Sequence, residues 1–222
     1  MASPRLSAED GTPISLRGSI DRVDLYHGVD GDYLRVIDYK SGTKEFKFEE
    51  VPYGLNMQML IYLYAACGDE NHRFGTPQPA GVLYLPSRLE AVEVMADTTE
   101  ESVTSEVNNA LKMKGMLLED ETVLRAMEQE LAGVYIPVKM KQNGEFYKGS
   151  RVYSREIFQN LRETVYGNIE KMGTELLAGK VAPCPVKGGD NDPCSYCPYA
   201  ALCNNTEPDS PHRELGEKEE SE

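Results

Sequence analysis

The chain has no apolar stretch near the roughly eighteen residues of a membrane span, and its longest apolar run, around residue 60, is broken by Gln58. Nothing at its start reads as a signal peptide, and five cysteines in 222 residues are too few for a disulfide-dense domain. A soluble cytoplasmic protein with no membrane attachment is expected. Histidine is scarce, and His27, His72 and His212 fall in separate loops or the tail, so they build no ligand set. Ser41 and Ser87 lack nearby His and Asp partners for a nucleophile triad. There is no internal repeat. Positive charge is also short: Lys and Arg number 23 against 37 Asp and Glu, a formal net charge of −14. That balance argues against broad, salt-driven attraction to phosphates. Part of the excess lies between Glu207 and Glu222, where seven acidic and two basic residues give −5 in a stretch poor in apolar side chains. Such a segment reads as a disordered acidic tail.

At 40% hydrophobic and 27% charged, the rest of the chain can bury one sizeable core. Its most informative segment is an apolar run, Tyr33-Leu34-Arg35-Val36-Ile37, that closes on Asp38, Tyr39 and Lys40. Side chains alternate along a strand, so Asp38 and Lys40 share one face and Tyr39 points away. A second carboxylate, Asp21, sits in its own strand-like segment, Gly18 to Asp24. If the two segments pair as a hairpin, two carboxylates converge beside a lysine. That arrangement suits a hard cation such as Mg²⁺, which binds carboxylate oxygens at about 2.0–2.1 Å and keeps several waters. The alternative is an edge strand ending in a Ser41-Gly42 turn, with Asp38 and Lys40 as a solvated ion pair. Residues 53 to 67 read as an apolar helix with Gln58 and Tyr62 at i and i+4. A buried amide without partners costs about 1–3 kcal/mol, so Gln58 is expected to face a polar cleft.

Further along, Pro79 to Leu85 reads as a core strand, residues 99–118 and 121–132 as helices that cover the sheet, and Asn143-Gly144 as a hairpin turn between Val138–Met140 and Phe146-Tyr147. Ser154 caps a long helix, 155–178, that Gly179 stops. Together these elements suit an α/β domain with a mixed central sheet flanked by helices. Cys67 ends the apolar helix as a small hydrophobe. Cys194, Cys197 and Cys203 form a C-x₂-C-x₅-C pattern whose thiolate density suits zinc or an iron–sulfur cluster. Cys184 could fold back over Gly188-Gly189 as a further ligand. Arg22 and Arg88 either contact phosphate or sit in surface ion pairs.

The combination G-S-I-D-R-V-D (18–24), V-I-D-Y-K-S-G (36–42) and Q-M-L-I-Y (58–62) resembles the PD-(D/E)XK nuclease superfamily, within it the RecB-like branch, whose core is restriction-endonuclease-like. The resemblance implies that Asp21 and Asp38 bind the catalytic Mg²⁺ or Mn²⁺, that Lys40 orients or activates the attacking water, and that Gln58 and Tyr62 line the DNA site. With the C-terminal cysteines it narrows to the C-terminal nuclease domains of the AddB family, the second subunit of bacterial AddAB helicase–nucleases. There it implies a [4Fe–4S] cluster on Cys194, Cys197, Cys203 and a fourth cysteine upstream of the nuclease motifs. The resemblance runs from about residue 14 to 204 and implies a fragment: a truncated nuclease core over 1–181, a cysteine-rich iron–sulfur segment over 182–206 and the acidic tail over 207–222. The implied function is a metal-dependent DNA exonuclease acting in double-strand break repair and recombination. An AddA-like helicase–nuclease subunit would deliver DNA strands to this acidic domain. Two alternatives stand beside it: a catalytically weak or inactive nuclease-like module that binds DNA or braces a partner around the cluster, and a zinc-bearing structural protein with coincidental carboxylates.

Overall fold

A computed structural model describes residues 6–42, 46–69, 71–88, 99–188, 192–203 and 210–216. A short antiparallel pair, β1 (Leu6–Ser7) and β2 (Pro13–Ile14), precedes the central sheet. That sheet is built from β3 (Arg22–Gly28), β4 (Gly31–Lys40), β5 (Gln78–Pro86), β6 (Lys114–Leu118) and β7 (Val152–Tyr153), side by side in that order. The β3/β4 and β5/β6 pairs are antiparallel, and β4/β5 and β6/β7 are parallel. A parallel neighbour needs a crossover rather than a tight turn. Between β4 and β5 it is made by a 3₁₀ helix, Phe48–Tyr53, and helix α1 (Gln58–Cys67). Helix α2 (Glu100–Leu111) links β5 to β6, α3 (Glu121–Met127) follows β6, and α4 (Arg155–Leu177) follows β7. Beyond these lie β8 (Val186–Lys187), the short α5 (Ala200–Cys203) and β9 (Arg213–Glu214).

Alternation along the strands divides the interior into two cores. Leu34, Val36, Val82, Tyr84, Met116 and Leu118 pack with Met59, Leu60 and Leu63 of α1 and with Phe158, Leu161, Val165 and Ile169 of α4. The α4 residues recur at helical spacing, so one stripe of that long helix is apolar. Tyr64 Oη donates 2.7 Å to the Phe158 carbonyl, which joins α1 to α4. On the opposite sheet face, Ile37, Leu83 and Leu117 pack with Leu124, Leu131, Ile136 and Val138. Where β5 and β6 cross, a Cβ at Gly115 would stand 2.0 Å from the Val82 carbonyl oxygen, so only glycine fits. No helix among the described residues is long and apolar enough to cross a membrane.

The mixed sheet with flanking helices agrees with the expected class, but several elements differ. The helix expected over 53–67 starts only at Gln58, because Gly54 at φ 84 ends the preceding 3₁₀ turn in the left-handed region. The helix expected over 99–118 stops at Leu111, and Lys114–Leu118 is instead β6, drawn into the sheet by β5. The helix expected over 121–132 ends at Met127, and Leu131 has a positive φ of 46. The Asn143-Gly144 hairpin is reduced to a single bridge between Met140 and Phe146. Within the stretch expected to be a disordered tail, Arg213–Glu214 pairs in parallel with Val186–Lys187, and Arg213 Nη1 donates to the Tyr53 carbonyl at 3.1 Å.

Candidate active site

Asp38 lies near the end of β4, where the antiparallel register sets Ile37 against Arg22, and one further step places Asp21 opposite Asp38. Asp21 falls in a bend just before β3 rather than inside a strand and is exposed. Its Oδ2 accepts the Tyr39 N–H at 3.1 Å, so this carboxylate is fastened to the residue between Asp38 and Lys40. Asp38 is only 7% exposed. Lys40 Nζ stands 2.5 Å from Asp38 Oδ2, which puts both side chains on one sheet face. The contact is an ion pair without hydrogen-bond geometry: among the described residues that buried oxygen has no hydrogen-bond partner. Tyr39 points away and is 44% exposed.

Beside the pair lies Tyr84, which is across from Asp38 in the parallel β4/β5 register. Its ring centroid is 5.7 Å from Lys40 Nζ. Burial, and then the charge of Asp38, push the Tyr84 phenol up to about 12, so it stays protonated at neutral pH. The sequence shows Tyr84 only as one more apolar residue of a core strand; its alternation with Val82 would have placed it on the Asp38 face once β4 and β5 were paired.

Gln58 opens α1 and is exposed, which corrects the expectation that it is buried by an apolar helix. Starting the helix at Gln58 leaves that side chain at its rim. The amide donates 3.0 Å to Tyr62 Oη. The Tyr62 ring packs against Gly18, where a Cβ would come within 3.2 Å of Cε1. The Gln58–Tyr62 pair therefore stands beside the segment that leads into Asp21. Arg22 is engaged with Asp24 at 2.7 Å, and Arg35 reaches the same carboxylate at 2.8 Å. Burial alone would raise the pKa of Asp24, but the two guanidiniums outweigh it and hold the carboxyl below its usual range. Arg88 is exposed.

Among the described residues no third histidine, cysteine or carboxylate joins Asp21 and Asp38 in a metal-binding group. Two carboxylates nevertheless fit Mg²⁺, which is commonly held by one or two of them while water and substrate phosphate fill the other positions. The buried, hydrogen-bond-free oxygen of Asp38 is the structural sign of that fit. The cysteines differ. Cys194 and Cys197 are half-buried in a turn, Cys203 is exposed at the end of α5, and the three do not gather into a metal-binding group. Cys184 is exposed, and its carbonyl accepts from Arg213 Nε at 3.3 Å. The residues present do not fit a [4Fe–4S] cluster. Burial pushes the Cys67 thiol up to about 12, which leaves it an inert packing group.

Known proteins agree with this geometry. Residues 3–204 match the PD-(D/E)XK nuclease superfamily. A protein of Alkaliphilus oremlandii (strain OhILAs), named as the second of the subunits of an ATP-dependent helicase/deoxyribonuclease, is 34% identical over 204 residues, which cover 89% of this chain and 18% of that protein. A protein of the same name from Clostridium botulinum (strain Loch Maree / Type A3) is 37% identical over 202 residues, again 89% of this chain and 18% of the relative. A third, from Thermoanaerobacter sp. (strain X514), is 32% identical over 201 residues, 90% and 18% of the two chains. The chain thus spans less than a fifth of the length of these relatives. On this match, and with both motif carboxylates and the lysine at the end of one β-hairpin, the chain belongs to the PD-(D/E)XK nuclease superfamily.

Proposed function

We propose that the chain is the nuclease domain of a helicase–nuclease subunit and hydrolyses DNA phosphodiester bonds, with Mg²⁺ or Mn²⁺ held by Asp21 and Asp38. The observation that carries this reading is the buried Asp38 oxygen, free of hydrogen bonds, between the Lys40 ammonium and the opposed Asp21. A bound divalent cation supplies charge for the phosphate and acidifies a water. The side chains supply the rest. Asp21 is held by the Tyr39 N–H, so little ordering cost remains when it takes up a ligand. Lys40 orients the attacking water and donates hydrogen bonds to charge developing on the phosphoryl oxygens. The Tyr84 ring restrains the Lys40 ammonium by a cation–π contact. Gln58 and Tyr62 contact the DNA beside Asp21. Similarity to proteins named as helicase/deoxyribonuclease subunits supports an AddA-like helicase as the partner that supplies the strand.

The test is cleavage of end-labelled DNA by the purified chain, with Mg²⁺ and with chelator, beside Mn²⁺ titration of the wild type and of Asp38→Ala. Mg²⁺-dependent cleavage and Mn²⁺ uptake that are both lost in the variant are expected. Undiminished cleavage by Asp38→Ala would overturn the assignment, and DNA binding without cleavage in any form would turn it toward the binding-module alternative.

A further inference from the structure

A cleft of about 790 Å³ opens at the far side of β6 from β5. Its lining includes Lys112, Lys114, Lys139, Lys148 and Arg151, and among the described residues no carboxylate lines it. On a chain of net charge −14, five cations around one depression with no acid between them are a local reversal of sign. Lys112 and Lys114 are half-buried, whereas Lys139, Lys148 and Arg151 are exposed. Lys141 is already paired with Glu145 at 3.0 Å and does not count toward this field.

The walls are fixed in place. Ser150 Oγ accepts the Lys139 N–H and donates to the Lys139 carbonyl, both at 3.1 Å, while the Arg151 N–H donates 2.9 Å to the Pro137 carbonyl. These bonds join the two loops that carry the exposed cations. Tyr147 lines the cleft with its ring 46% exposed, and Lys139 Nζ lies 5.1 Å from its centroid. Asn108 and Asn109 of α2 complete a polar wall.

The cleft also adjoins the carboxylates. Asp38 is in register with Tyr84, and Tyr84 with Lys114, so the three occupy one row across β4, β5 and β6. At the usual strand spacing, Lys114 is about 10 Å from Asp38 along that row. Partners in register share a sheet face, so the first cation of the cleft continues the face that bears Asp38 and Lys40.

Resting on the nuclease reading of Asp21 and Asp38, we propose that this cleft binds the sugar–phosphate backbone of a single nucleic-acid strand and leads it along β6 to the carboxylates. Lys139, Lys148 and Arg151 contact phosphates at its mouth, and Tyr147 offers a stacking face to a base. Sequence-tolerant binding of single strands uses this pairing of a cationic groove with aromatic platforms. Size selects the single strand. A volume of 790 Å³ corresponds to a depression roughly 9 Å across, whereas the major groove of a duplex alone is about 12 Å wide.

Binding is measured by fluorescence anisotropy of a labelled oligothymidylate in chelator, where nothing is cut. The proteins are the wild-type chain, Lys148→Glu with Arg151→Glu, Tyr147→Ala, and a control with the same charge change on another surface, Lys171→Glu with Lys180→Glu. The cleft reversal is expected to weaken binding at least tenfold more than the control. It should also reduce the slope of log affinity against log salt by about 0.7 for each phosphate that the cleft no longer neutralises. Tyr147→Ala is expected to cost about tenfold with no change in slope. Thermal melting checks each fold, and Lys148→Gln with Arg151→Gln replaces the reversal if that variant fails to fold. Equal losses in cleft and control variants, tighter binding of duplex than of single strand, or displacement of the oligonucleotide by polyglutamate at equal charge would each overturn the proposal. The two readings fail separately. Loss of cleavage in Asp38→Ala with cleft variants that bind and cut normally refutes the cleft alone. Loss of binding in the cleft variants with no cleavage by any protein supports the cleft and refutes the nuclease.

Discussion

Tyr84 stands across from Asp38 in the parallel register of β4 and β5, and its ring lies 5.7 Å from the ammonium that Asp38 neutralises. The aromatic ring is thus the third member of the Asp38–Lys40 pair, and its effect on cleavage should run through Lys40. Tyr84→Phe keeps the ring and is expected to retain most activity. Tyr84→Leu should lower kcat by about threefold to tenfold with little change in KM, the range a partly buried cation–π contact supports. Equal losses in both variants would assign the effect to the hydroxyl instead.

Removal of Lys40 separates metal binding from catalysis. Lys40→Ala is expected to retain Mn²⁺ uptake, because the carboxylates remain, while the cleavage rate falls by about 10²–10³-fold, as when one preorganised donor is lost. Asp38→Ala should lose both. Titration calorimetry beside a rate measurement distinguishes the two variants.

Glu128 predicts an acid-sensitive loop. The carboxylate is buried and accepts the N–H groups of Val134, Tyr135 and Ile136 at 3.0, 2.9 and 3.1 Å. Burial alone would raise its pKa, but these backbone donors overcome that and hold it below the ordinary 4.5. A group depressed on folding contributes stability above its unfolded pKa and loses it as pH falls through the folded value. Glu128→Gln should therefore lower the melting temperature at pH 7, and the gap to wild type should shrink as pH drops below 4.5. Glu128→Ala leaves buried N–H groups unpaired, at about 1–3 kcal/mol for each that water cannot reach.

The segment around β9 should contribute to stability. The Arg213 N–H donates to the Pro185 carbonyl at 2.8 Å, the Leu215 N–H to the Lys187 carbonyl at 2.7 Å, and the Gly216 N–H to Tyr53 Oη at 3.0 Å. Truncation after residue 209 is expected to lower the melting temperature by about 2–4 °C for each kcal/mol removed, relative to a chain ending at Gly216. Identical melting of the two would show that these contacts carry no net stability.

The sequence by itself determined the chemistry-bearing strand and its partner. Period-two alternation places Asp38 and Lys40 together wherever that strand lies, and the Asp21 segment is the neighbour a short turn returns to it. The long α4 was equally legible, since the Ser154 side chain accepts the Ile157 N–H at its start and apolar residues recur at helical spacing. These signals are local, and local physics decides them.

Tertiary structure decided the rest. Residues Lys114–Leu118 became a strand because β5 offered a ladder and Gly115 allowed close approach to Val82, a contact between segments about thirty residues apart. Gln58 became a rim residue because the left-handed Gly54 delayed the helix start. The C-x₂-C-x₅-C spacing brought its thiols close in sequence but not into one group, since spacing limits the distance between ligands without directing their side chains. Net charge misled most: −14 is an average over the whole chain, whereas the cations at 112, 114, 139, 148 and 151 come from separate segments and meet only in the fold. A field falls off within about a Debye length, so a strand of phosphates responds to the charges nearest it, and only packing sets which those are.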